Sequence, residues 1–237
     1  MRKGILTALA VLVCTAASAQ IHTTKPSISY TLTDDLSWIM RYEKSIQAFR
    51  DSDKDVTDFT CDGLFVGSSS IMHWKTLDED FPGMKMVNRG YGGSTIRDIL
   101  YNYASVFGRY QPRNIVFYCD NDVSGDPRYD VSAGEWYDLY RTMFLKMHAD
   151  YPDAQIYALC IKYSDDRLSI RHIEKFMNYL MEEFCKQNDW MTYVDVNTPI
   201  LLPDGTPDPK FFREDKLHVN REAYAIWAKE LIKAGLK

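Results

Sequence analysis

The sequence predicts an α/β fold: a parallel sheet covered by helices on both faces. Three observations carry this. Five short apolar runs recur along the chain, and stretches with three- and four-residue apolar spacing separate them. "QP" at 111–112 and "YP" at 151–152 fall just before two of the runs, where proline ends a preceding helix. No linker-like segment interrupts residues 34–237, so that span reads as one domain.

The first nineteen residues stand apart. Arg2 and Lys3 precede the apolar run "GILTALAVLV", and "ASA" follows at 17–19. This is the pattern of a signal peptide with a small-residue cleavage site. The run is too short to span a bilayer, which takes about 20 apolar residues. The expectation is an exported protein, periplasmic or secreted, without stable membrane insertion. A lipid anchor on Cys14 is the alternative, but Val13 stands where a lipoprotein signal has a small residue. Residues 20–33 are polar and rich in Thr and Ser, and read as an arm.

From residue 34 the elements follow in order. Leu36, Ile39, Met40, Ile46 and Phe49 share a helical face, with Thr33 or Asp34 as cap. "DSDKDVTD" closes that helix. The strand runs are "LFVG" (64–67), "MKMVN" (84–88), "NIVFYC" (114–119), "QIYALCI" (155–161) and "MTYVDV" (191–196). Trp136, Leu139, Tyr140, Met143, Phe144 and Met147 form one core-facing helical stripe. Ile173, Met177, Leu180, Met181 and Phe184 form another. A last helix starts near Arg221 and buries Tyr224, Trp227 and Leu231. Residues 197–220 form one long irregular stretch, a length at which loops are functional or disordered.

Charge and cysteines narrow the function. Losing Arg2 and Lys3 with the leader takes the formal charge from −5 to −7. An acidic domain without a basic cluster is a poor partner for nucleic acid or anionic membranes. Cys61, Cys119, Cys160 and Cys185 are far apart, with neither CxxC nor zinc-ligand spacing. The reading is no metal, no cofactor and no essential disulfide.

In open parallel sheets, sites form beyond the carboxyl ends of the strands. That singles out residues 67–70, 90–94, 120–122 and the long loop. "VNRGYGGSTIRDIL" runs strand, glycines, helix, but it breaks the dinucleotide fingerprint: Thr95 stands at the last required position. Its glycines make either a tight turn or a bare backbone that a developing negative charge can approach. In "DKLH", Asp215 lies three residues before His218, close enough for a carboxylate to orient an imidazole. A pair of surface residues has the same spacing. In "CDND", Asn121 either donates its amide N–H to an oxyanion or forms a turn.

These blocks, in order, resemble the SGNH (GDSL-like) hydrolase family. "LFVGSSSI…W" is similar to its first block, "NRGYGGST" to its second, "FYCDND" to its third and "DKLHVN" to its last, over residues 62–232. The resemblance implies a three-layer α/β/α sandwich with a five-stranded parallel sheet. Aligning Gly67 and Trp74 with the family's Gly and Trp makes Ser69 the nucleophile. It leaves Ser68 where the family has Asp, and Cys119 where a glycine often precedes the Asn block. The resemblance further implies Asp215 and His218 as Ser69's triad partners. It places the oxyanion hole at Ser69, Gly93 and Asn121.

The activity it implies is ester hydrolysis on a small-molecule or carbohydrate substrate. The short connections after Ser69 leave no insertion to form an apolar lid, so the expected substrates are short acyl esters, acetyl above all. A lysophospholipase or lipase is the alternative, and a non-catalytic binding protein on the same fold is the other. The leader generates a prediction of its own: terminal sequencing of protein from its native host will find Gln20, or a residue close to it, at the mature N-terminus. A retained Met1 or a lipidated Cys14 contradicts this.

Overall fold

The computed structural model describes residues 40–126 and 130–237. The expected leader, the arm, and the start of the first helix with Leu36, Ile39 and its caps lie outside the described residues. Five strands, β1 (Thr60–Gly67), β2 (Met86–Gly90), β3 (Gln111–Tyr118), β4 (Gln155–Leu159) and β5 (Met191–Val194), form one sheet. Its order is β2-β1-β3-β4-β5, with every neighbouring pair parallel. The order reverses between β1 and β3, so loops at the carboxyl ends of β1, β2 and β3 converge there.

Side chains on a strand alternate between the two faces. Leu64, Val66, Ile115, Phe117, Ile156 and Ala158 enter one core. Phe65, Val116, Tyr118, Tyr157 and Leu159 enter the other. Both faces are dry, which is why the strands read as unbroken apolar runs. The first core is covered by α1 (Glu43–Ser52), α4 (Ile96–Tyr101), α5 (Tyr103–Phe107), α6 (Ala133–Asp150) and α7 (Arg171–Lys186). The expected stripes of α6 and α7 face it: Trp136, Tyr140, Met143, Phe144, Met147, Met177, Met181 and Phe184 are all buried. Met40 departs from expectation. It is 58% exposed, because α1 begins at Glu43 and the turn at 41–42 breaks the helical register.

The second core holds α3 (Leu77–Asp80), the last helix α8 (Arg221–Lys233), and an aromatic wall in which Trp74 stacks on Tyr224 and meets Trp227 edge-on. Its anchor is a one-turn helix, α2 (Ser69–Met72), directly after β1. The Asn88 amide donates to the carbonyls of Ile71 and Trp74, and the Tyr224 hydroxyl donates to that of Ser70. This turn sits hard on the sheet. A Cβ on Gly90 would lie 2.2 Å from the Met72 amide nitrogen, and one on Gly67 would lie 1.9 Å from the Tyr118 carbonyl oxygen.

Residues 197–220 are ordered rather than loose. They contain short 3₁₀ turns at Thr198–Ile200 and Pro209–Phe211, and isolated bridges pair Leu201 with Pro207 and Phe212 with Val219. Cys61, Cys119, Cys160 and Cys185 are buried thiols.

Gly90→Ala should destabilise the protein by about 1–3 kcal/mol, the usual cost of overpacking, because the added carbon meets backbone. Gly92→Ala meets only the flexible end of Met72 and should cost less. Chemical denaturation of both variants checks the contrast, and equal losses would argue against so tight a seat for α2.

Candidate active site

The loop between Phe212 and Val219 brings an acid and a histidine together. Asp215 Oδ1 accepts the backbone N–H groups of Leu217 and His218, at 3.0 and 2.8 Å. This closes an Asx-type turn that carries Lys216 through a left-handed conformation (φ 56°). With Oδ1 so occupied, Oδ2 faces His218 Nδ1 at 2.8 Å. The carboxylate accepts, so Nδ1 carries the proton and Nε2 is left as an acceptor. Burial works to raise the Asp215 pKa, but the His218 ring and the two N–H groups outweigh it and hold the carboxyl down at about 2. Asp215 therefore stays ionised through the neutral and mildly acidic range.

His218 Nε2 lies 3.0 Å from Ser69 Oγ, across 149 residues of chain. Ser69 opens α2, immediately past the end of β1. Ser68 is fully buried and its hydroxyl meets Asp120 Oδ1 at 3.2 Å. Ser70 is also buried, and its hydroxyl has no partner. Of the three serines, only Ser69 presents its hydroxyl to a base. His73, which has no acid near it in sequence, stands edge-on to His218 with ring centroids 5.0 Å apart. Burial, then the neighbouring Arg213 and His218, push its pKa down.

The other two predicted positions converge on the same edge. Gly93 is exposed, at φ 78°, a conformation that favours glycine, and its carbonyl accepts from the Tyr42 hydroxyl at 2.6 Å. Among the described residues no protein acceptor takes the N–H of Gly93 or of Ser69. Asn121 Nδ2 donates to the Ser94 carbonyl at 3.0 Å, which commits one of its two N–H bonds.

No family model and no curated protein matches the chain. Solved structures do. A GDSL-like lipase from Bacteroides thetaiotaomicron is 17% identical over 83% of this chain and 97% of its own, with a TM-score of 0.65. A Streptococcus pneumonia protein, provisionally named a platelet activating factor, is 20% identical over 83% and 94%, with a TM-score of 0.70. A catalytic mutant of an acetylxylan esterase from Geobacillus stearothermophilus is 15% identical over 77% and 98%, with a TM-score of 0.59. The fold is the SGNH hydrolase fold.

Behind the site on this SGNH scaffold lies a buried charged cluster that the sequence reading missed. Asp120 meets Lys162 Nζ at 3.2 Å and Arg167 Nη1 at 2.8 Å, and accepts from the Tyr118 hydroxyl at 2.9 Å. Burial would raise the Asp120 pKa, but Arg167 and Lys162 overcome it and hold the carboxyl well below the usual range. The one signal in sequence was a lysine directly behind an apolar strand run, with an arginine five residues on. Next to this cluster, Asp122 is buried with little compensation beyond the Ile96 N–H, and burial pushes it up to about 6. Surface cleft space of about 410 Å³ flanks the Asp215 turn, lined by Pro207, Phe212, Arg213 and Lys216 among others.

A fluorophosphonate probe should label Ser69 and no other serine. Ser69→Ala should abolish labelling and turnover, while Ser68→Ala and Ser70→Ala fold and keep part of both. Peptide mapping checks this, and a label on Ser68 or Ser70 contradicts the placement.

Proposed function

We propose that this protein is an exported carboxylic ester hydrolase that works through a Ser69 acyl-enzyme. The observation that carries this reading is the unbroken line Ser69 Oγ, His218 Nε2, His218 Nδ1, Asp215 Oδ2, with gaps of 3.0 and 2.8 Å. Both distances lie within the reach expected of a nucleophile, its base and the group orienting that base.

His218 Nε2 takes the Ser69 proton as Oγ bonds to the ester carbonyl carbon, and Asp215 stabilises the imidazolium. The carbonyl electron pair moves onto oxygen. The free N–H groups of Ser69 and Gly93 and the second N–H of Asn121 are the donors for that charge. The intermediate collapses, the C–O bond to the alcohol breaks, and His218 hands its proton to the leaving oxygen. Water, deprotonated by His218, then attacks the acyl-enzyme to release the acid and restore Ser69.

The substrate proposed is a short acyl ester, acetyl above all, carried on a carbohydrate or small molecule. The likeness to an acetylxylan esterase supports this class. So does the build of the long loop, whose short 3₁₀ turns and bridges form no amphipathic helix of the kind that covers a lipid chain. The basic, apolar and "ASA" segments at the N-terminus support export.

The test is kcat/KM for 4-nitrophenyl esters from acetate to decanoate below their micelle concentrations, with acetate release from acetylated sugars alongside. Acetate should be preferred, with changes per methylene within about 1–3 kcal/mol. A maximum at eight carbons or longer would favour a lipase or lysophospholipase instead.

A further inference from the structure

We propose that Arg167 is a positioning residue for the oxyanion hole, locking the Asn121 amide with its N–H toward the reacting oxygen. This rests on the ester-hydrolase reading of the site. An asparagine amide can present either its oxygen or its nitrogen to a substrate, and only the nitrogen stabilises an oxyanion. The structure removes that choice from both ends. Arg167 Nη2 donates to Asn121 Oδ1 at 2.9 Å, and a guanidinium, having no acceptor, cannot receive an N–H in its place. Asn121 Nδ2 donates one hydrogen to the Ser94 carbonyl, beside Gly93. The second hydrogen is left for the substrate.

Arg167 is itself immobilised. It is 5% exposed. Its Nη1 donates to the Asp120 carbonyl at 2.9 Å and pairs with Asp120 Oδ2 at 2.8 Å. The other Asp120 oxygen accepts from Ser68, the residue before the nucleophile. A continuous set of bonds thus joins Ser68, Asp120, Arg167 and Asn121, tying the nucleophile's strand end to the oxyanion donor. Arginine is required because its planar fork reaches two acceptors at fixed separation, while a lysine ammonium is a single point of charge.

The experiment is a double-mutant cycle in the full chain on 4-nitrophenyl acetate, with active sites counted by fluorophosphonate titration. Arg167→Lys retains a charge for Asp120 and Arg167→Met removes it; thermal unfolding reports whether each stays folded. Asn121→Ala should lower kcat by about 10² to 10³. Arg167→Lys should lower kcat per titrated site about 10-fold or more, with KM within about two-fold, since part of that same donor is lost. In the Asn121→Ala background the Arg167→Lys change should have no further effect.

Wild-type kcat in Arg167→Lys overturns the proposal, as do losses that multiply in the double variant. A loss confined to the fraction of titratable sites also overturns it, because that is what a purely structural arginine gives. A wild-type chain that turns over no acyl ester overturns the ester-hydrolase reading and this proposal with it. An active wild type with a slow Asn121→Ala and a normal Arg167→Lys overturns this proposal alone.

Discussion

The carboxyl edge of the sheet depends on how closely the turn after β1 can approach β2. Gly67 and Gly90 are paired neighbours on those two strands. Each faces backbone where a side chain would begin: the Tyr118 carbonyl for Gly67, the Met72 amide for Gly90. Because neither carries a Cβ, α2 settles onto the strand ends. Asn88 and Tyr224 then hold its carbonyls, at Ile71 and Ser70. Ser69 is the first residue of that turn, so its position follows from a backbone contact rather than from its own interactions. The Trp74, Tyr224 and Trp227 wall fixes α8 against the same turn, and the loop bearing His218 leads directly into α8.

A second constraint is electrostatic. Taking Asp120, Lys162 and Arg167 out of water together is expensive, and removing Asp120 would leave two buried cations without the carboxylate they share. The cluster is tolerable because Asp120 is richly paired: two cations, two hydroxyls and no exposed edge. Nearby Glu174 shows the opposite case. Arg171 Nε approaches it to 3.3 Å, yet neither carboxylate oxygen accepts a hydrogen bond. Burial therefore prevails, against the pull of Arg167, and raises Glu174 to about 7. For such a group the protonated form is the stable one in the fold. Its contribution is complete below the ordinary Glu range, about 4.3, and fades as pH rises towards 7. Asp215 has the reverse sign, since its folded pKa is depressed: its contribution holds above the ordinary Asp range and is lost only as pH falls towards 2.

The loop from 197 to 220 shows why length alone is a poor guide to order. Prolines at 199, 203, 207 and 209 restrict the backbone, and Asp195, Asp204, Asp208 and Asp215 each accept a nearby backbone N–H. Such local bonds hold irregular chain in place without a helix or strand. The left-handed Lys216 is the one strained non-glycine residue among those described. It lies between Asp215 and His218, where the closed turn imposes it.

Much of the scaffold was legible in the chain. Strand runs and the α6 and α7 stripes are local patterns, and dry faces impose them wherever they occur. The Asp215–His218 contact was legible too, since three residues of chain can close it. The preference for Ser69 among three serines came only through the Gly67 and Trp74 register of a resembling family. What tertiary structure decided is whatever joins distant segments. It brought Ser69 to His218 and turned Ser68 inward to Asp120. It gathered Lys162 and Arg167 behind Asn121, and it left Met40 in solvent despite its place on an apolar stripe. Periodicity records which face of an element is buried. It holds no record of which buried charge will meet which, because that follows from sheet order and loop closure across the whole domain.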